Sequence, residues 1–166
     1  MTGAEFHEAY GRHKDILYRF ARRMTGSDAA AEDLVHDCFL AVWRNAAAYC
    51  AERGTMRSFL IGVTRNLALK RLKGERTFDE LVEDSAVCVP IDTAGRERGE
   101  MVAQAVAALP PLQREALILA EYEEMSLEEI ARATGVELAA VKSRLHRARE
   151  NLRRMLAPLL ETKGAA

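Results

Sequence analysis

The segment VKSRLHRARENLRRM, Val141 to Met155, carries six cations, Lys142, Arg144, Arg147, Arg149, Arg153 and Arg154, against one acid, Glu150. Side chains of this type at this density suit a polyanion. Guanidinium and ammonium groups neutralise phosphates, and Arg also forks onto the edge of a guanine. On a helical wheel of about 100° per residue, Val141, Leu145, Ala148 and Leu152 share one apolar face. Ala139, Ser143, His146, Arg147, Glu150 and Arg154 point the other way, with Lys142, Arg144 and Arg149 at the edges. Small residues lead and cations follow, which lets a helix backbone come close to a groove. A solvated basic helix end, favoured by the helix dipole, explains the cations alone equally well.

The residues in front of the segment separate the two readings. In MSLEEIARATGVELAAVKSRL, Ser126 with Glu129 three positions on forms a capping box, and Met125 and Ile130 sit at the staple positions. The pattern predicts a short helix over Leu127 to Ala133, ended by Gly135 in a left-handed conformation, and a second helix from about Leu138. Ile130, Ala131, Val136, Val141 and Leu145 would pack the corner. Two short helices joined at a glycine turn over an apolar corner make a helix-turn-helix. With that motif in place, DNA binding rises well above the solvated-helix reading.

The chain that must position this motif has 166 residues, 49% hydrophobic but only 6% aromatic. Ala, Leu, Glu and Arg dominate, which favours helix over strand and implies an all-α fold. Cys38, Cys50 and Cys88 make an odd number with no CxxC spacing, so neither a structural disulfide nor a zinc site is expected. His36 beside Cys38 and Cys50 has poor ligand spacing. No apolar run approaches the roughly 20 residues that span a bilayer. The opening MTGAEFHEAYGRHKD has no apolar signal core, and the reading is cytoplasmic with no membrane contact of its own.

The formal net charge is −1, yet the charge is sorted. Arg57, Arg65, Lys70, Arg71, Lys73 and Arg76 cluster against Glu75; Asp79, Glu80, Glu83, Asp84, Asp92, Glu97 and Glu100 follow against Arg96 and Arg98; the C-terminal stretch is basic again. Periodicity predicts a first helix over about Ala4 to Met24, with Phe6, Tyr10, His13, Leu17, Phe20 and Met24 on one face. A second, capped by Ser27 or Asp28, would run to Arg44 with Leu34, Val35, Cys38, Phe39 and Val42 inward. A third covers about Met56 to Lys73, with Leu60, Val63, Leu67 and the stem of Arg71 inward. Trp43 would cap this bundle. The expected organisation is two small helical bundles, 1–76 and 100–166, joined by a flexible acidic linker, 77–99, with one helical turn at FDELVED.

Three blocks carry a resemblance. Leu109 to Leu156 resembles the C-terminal promoter-binding domain of bacterial sigma factors of the extracytoplasmic-function (ECF) class. AEDLVHDCFLAVWR and RSFLIGVTRNLALKRLK resemble that class's N-terminal domain, and the blocks stand in the family's order. The resemblance implies a factor, not an enzyme, that binds RNA polymerase core, directs it to promoter DNA and is itself held by an anti-sigma factor. It needs no cofactor. It assigns the minus-35 element to Lys142, Ser143, Arg144, His146 and Arg147. The minus-10 element and melting fall to Arg57, Arg65, Asn66, Lys70 and Arg71 and the connector before them, Asn45 to Met56. The polymerase clamp would meet Asp33, Leu34, His36, Asp37 and Phe39, and the acidic linker would run near the RNA exit path.

Apart from the resemblance, Asp33 and Asp37 read equally as a solvated acidic face, and Phe59 reads first as core. The sequence also departs from the family at Glu137 and Ala140, where Ser or Thr is usual, at His36 in place of Gln, and at Lys70 in place of Asp. Rival classes remain a dimeric helix-turn-helix repressor, for which no dimerisation coil is visible, and a helical adaptor. No Ser-His-Asp order, glycine-rich phosphate loop, HExxH or paired-carboxylate site argues for an enzyme.

Overall fold

The structure, a computed structural model, describes residues 1–75 and 89–161. The linker turn expected at FDELVED and Cys88 lie outside the described residues. Helix α1 spans Gly3–Thr25. Its first turn is closed by a capping box in which the Glu5 amide donates to the Thr2 hydroxyl at 3.2 Å and the Thr2 amide to the Glu5 carboxylate at 2.6 Å. Gly26, at φ 72°, ends it in the left-handed conformation that lets its amide reach Arg22 O. Ser27 then caps α2, Asp28–Arg44, by accepting from the Ala30 amide. The two-residue break forces α1 and α2 to lie side by side. Leu17, Phe20 and Met24 from α1 and Leu34, Val35, Cys38, Phe39 and Val42 from α2 are buried between them. Each such apolar side chain contributes about 1.5–3 kcal/mol by leaving water.

Two short 3-10 turns, Ala46–Ala48 and Ala51–Arg53, make the connector to α3, Met56–Glu75. The inner face of α3 differs from expectation. Leu60, Ile61, Gly62, Thr64, Ala68 and Leu72 are buried, Val63 and Leu67 are only half-buried, and Arg71 is exposed. The helix is covered on two sides, by α1–α2 and by the C-terminal half, so a single-stripe wheel misplaces the seam. Trp43 does not cap the core: it is 52% exposed and touches Phe6 edge-on at 4.9 Å.

The second bundle holds α4, Arg98–Ala108; α5, Pro111–Leu117, with Pro111 in its first turn; α6, Leu127–Thr134; α7, Leu138–Met155; and the short α8, Ala157–Glu161. Helix α5 continues into a π turn over Ile118–Tyr122, and Glu124 follows at φ 54°. No strand occurs among the described residues. The two bundles share one continuous core: α4 and α5 pack on α1, and α6 packs on α3.

Candidate nucleic-acid interface

Ser126 accepts from the Glu129 amide at 3.1 Å and starts α6; Gly135, at φ 70°, ends it. The turn that follows seats α7 across α6, with Ile130, Val141 and Leu145 buried in the corner as expected and Ala131 and Val136 half-buried. Thr134 is also buried there, its hydroxyl donating to Ile130 O at 2.7 Å. The inner face of α7 is Val141, Leu145, Ala148, Asn151 and Met155, and Leu152 is half-buried. Asn151 is accommodated because its amide donates to the buried Gln113 side chain at 2.7 Å.

Lys142, Ser143, His146 and Arg147 lie exposed on the outer face of α7. Arg144 does not join them. Its side chain is 21% exposed and turns toward the Glu115 carboxylate at 4.0 Å. Arg149 pairs with Glu121 at 2.6 Å and Arg153 with Glu150. Glu137 caps α7 only through its backbone, without a side-chain hydrogen bond to the first turn.

On α3 the five nominated residues divide. Asn66, Lys70 and Arg71 face solvent, Arg71 reaching Asp33 at 3.7 Å. Arg65 faces the second bundle. Its Nε and Nη2 donate to the two Glu115 carboxylate oxygens at 2.8 and 3.0 Å, and its Nη1 donates to Thr134 O at 3.1 Å. Arg57 likewise donates to Glu123 O at 2.7 Å and lies 3.8 Å from the Glu123 carboxylate, which Arg19 also approaches at 3.8 Å. The Glu115 side chain is 2% exposed, and burial pushes its pKa upward, favouring the protonated acid, opposed by the hydrogen bonds and charge of Arg65 and the charge of Arg144.

The connector and the front of α3 bound a cleft of about 290 Å³ that includes Tyr49, Gly54, Ser58 and Asn66, with Arg132 and Ala133 of α6 as its far wall. Phe59 is half-buried, its ring tilted against Tyr49 at 5.4 Å, a packing role as expected.

The α2 set also divides. Asp33, His36 and Asp37 are exposed, whereas Leu34 and Phe39 are each 3% exposed and serve the core. Beside the exposed three runs a cleft of about 640 Å³ between α1 and α2, walled by Phe6, Tyr10, Phe39 and Leu40. Tyr10 meets Phe39 at 4.9 Å and Phe6 meets it at 5.8 Å, both edge-on. Cys38 is fully buried, its thiol pushed up to about 11 by burial, so it is a small apolar filler rather than a thiolate. No group of His, Cys, Asp and Glu among the described residues is arranged to hold a metal.

Residues 9–78 match the family model described as Sigma-70 region 2, and residues 99–152 match Sigma-70, region 4. The ECF RNA polymerase sigma factor SigE of Mycolicibacterium smegmatis is 36% identical over 90% of this chain, which spans 61% of that protein's length. RNA polymerase sigma factor CarQ of Myxococcus xanthus is 33% identical over 93% of this chain and 90% of its own. The chain belongs to the ECF RNA polymerase sigma factors. The fold agrees with that of the sigma factor RpoE solved in complex with the anti-sigma factor NepR from Bartonella quintana, at TM-score 0.71 and 24% identity, over 92% of this chain and 97% of that one.

As an ECF sigma factor the chain has its helix-turn-helix face legible in sequence, but not the residues that organise the seam between its bundles. Glu115, Glu123, Thr134 and Gly62 were not singled out. The available signal was a carboxylate set in the apolar run of LQREALILA. Tyr10, expected on the inner face of α1, and Trp43, expected to cap the bundle, are instead exposed beside the acidic face of α2, together with Leu40.

Proposed function

We propose that this chain binds RNA polymerase core through the α1–α2 face and directs promoter-specific transcription initiation, with an anti-sigma factor as its inhibitory partner. Asp33, His36 and Asp37 supply the polar contacts to the polymerase, and the aromatic-walled cleft beside them, which Lys14, Asp15 and Glu32 also line, supplies the contact area. The outer face of α7, Lys142, Ser143, His146 and Arg147, reads the minus-35 element, with Arg144 at its edge, turned toward Glu115 of the same bundle. Asn66, Lys70 and Arg71, with Arg57 and Arg65, follow the minus-10 strand, and the connector cleft receives an unstacked base. Domains 1–76 and 100–166 then hold separate promoter elements, with 77–99 setting their distance. The factor acts in the cytoplasm and is not an enzyme.

The observation that carries this reading is a helix-turn-helix whose second helix presents Lys142, Ser143, His146 and Arg147 together at the surface. The test is run-off transcription with purified core polymerase on genomic fragments. Discrete new start sites appear with the chain present; an unchanged transcript pattern refutes the reading.

A further inference from the structure

The helix proposed to meet DNA carries less positive charge to a duplex than its sequence suggests. Of the six cations between Val141 and Met155, Arg144 turns toward Glu115 at 4.0 Å, Arg149 pairs with Glu121 at 2.6 Å and Arg153 pairs with Glu150. A guanidinium matched to a carboxylate has much of its charge offset before a phosphate arrives.

An acid stands at the leading end of the same helix. Glu137 is exposed at the N-cap of α7, with φ −62° and ψ 147°, and its side chain makes no hydrogen bond to the first turn. Among the described residues its carboxylate has no ion-pair partner either. Leu138, Ala139 and Ala140 follow, and the first cation along the helix is Lys142. The charge that comes first at this end is therefore negative.

That placement runs against what the end of a helix attracts. Unpaired first-turn amides and the helix dipole, about half a positive charge, favour phosphate there. A recognition helix enters the major groove by this end, flanked by both phosphate strands. A full carboxylate charge at the N-cap outweighs the dipole. Nor does Glu137 serve the fold: Ser or Asp in its place would cover the amides and stabilise α7. What its charge acts on is whatever α7 approaches.

We propose that Glu137 sets the DNA affinity of the reading face: it repels the phosphate that the amino end of α7 approaches and keeps the chain's own grip on duplex DNA weak, so that stable promoter binding requires the contacts that polymerase adds. The inference rests on the sigma-factor reading for the DNA-facing role of α7. It concerns one charge and requires no movement of the bundles.

Three full-length variants separate the charge from the cap. Glu137→Gln removes the charge with little change of shape, Glu137→Asp keeps the charge and supplies a capping carboxylate, and Glu137→Ser removes the charge and supplies a capping hydroxyl. Each is compared with the wild type by fluorescence anisotropy on labelled duplexes of several unrelated sequences across a salt series, with circular dichroism confirming unchanged helix content. Glu137→Gln and Glu137→Ser should bind roughly three- to tenfold more tightly at low salt, and the gain should shrink as salt screens it. Glu137→Asp should stay near wild-type affinity. The gain should be alike on every duplex, because phosphate contacts carry no base information. Unchanged affinity in Glu137→Gln overturns the proposal. A gain in Glu137→Asp equal to that in Glu137→Ser also overturns it, by tracing the effect to the cap. So does an effect confined to one sequence, which would make Glu137 a base reader. Should the Gln and Ser variants gain affinity while run-off transcription shows no new start site, the role of Glu137 stands and the sigma-factor reading falls.

Discussion

Arg65 and Glu115, 50 residues apart in sequence, meet in a bidentate pair at 2.8 and 3.0 Å, with the carboxylate almost wholly shielded from water. A buried pair of this kind adds little beyond an apolar replacement, but breaking it strands a charge. Arg65→Ala should therefore cost roughly 3 kcal/mol in urea unfolding, whereas Arg65→Met combined with Glu115→Met should cost far less. Equal losses in the two would show that the stranded charge is not the cause.

The direction of the Glu115 shift sets a pH signature. Its carboxyl is raised from an ordinary 4.5, so the folded state holds the proton more tightly than the unfolded chain. The associated stability is present below 4.5 and is lost as pH rises through the folded value. Without Arg65 the shift grows. The deficit of Arg65→Ala should accordingly be largest near neutral pH and shrink as pH falls toward 4.5, read from urea midpoints at each pH. A deficit independent of pH would exclude Glu115 as the titrating group.

Positions adjacent on α2 should separate stability from binding. Leu34 is core, and Leu34→Ala should lose about 2–5 kcal/mol. Asp37 is exposed, and Asp37→Ala should stay within about 0.5 kcal/mol of the wild type while weakening capture by core polymerase on a size-exclusion column. Retained capture by Asp37→Ala would remove that face from the polymerase contact.

The outer face of α7 should act on promoter use without acting on polymerase. Lys142→Ala with Arg147→Ala should reduce run-off transcripts at least tenfold and lower the salt slope by about 0.9 per lost phosphate contact, with core binding intact. Arg144→Ala should weaken transcription less than Arg147→Ala, because its side chain already faces Glu115. Equal effects would place both on one reading face.

Helix α7 begins on Glu137, whose side chain does not cap it. Glu137→Ser supplies a hydroxyl for the first-turn amides and should raise stability by about 0.5–1 kcal/mol in thermal melts. No gain would mean that those amides already have partners of equal quality.

The parts of this fold that were legible in sequence are the ones fixed locally. Ser27 starts α2, and Ser126 with Gly135 brackets the first helix of the helix-turn-helix within a residue of expectation. Periodicity also placed Leu34, Val35, Cys38, Phe39 and Val42 inward. It misjudged α3, because a helix covered on two sides has no single stripe, and Ile61, Thr64 and Ala68 are buried by partners far along the chain. The same limit explains Arg65 and Arg144. Their types suggested phosphate, but type and spacing say nothing of a carboxylate that only tertiary packing brings beside them. Leu34 and Phe39 illustrate the reverse error, since a helix segment named for a partner includes residues that face away from it.

Arg114 lies deep in the second bundle, yet its guanidinium donates to Met24 O at the end of α1 as well as to Ala107 O and Leu109 O, each of these two at 2.8 Å. A terminus of the first half is thereby completed by a side chain of the second. Heating the free chain should consequently give one calorimetric peak, with both halves surrendering their enthalpy together.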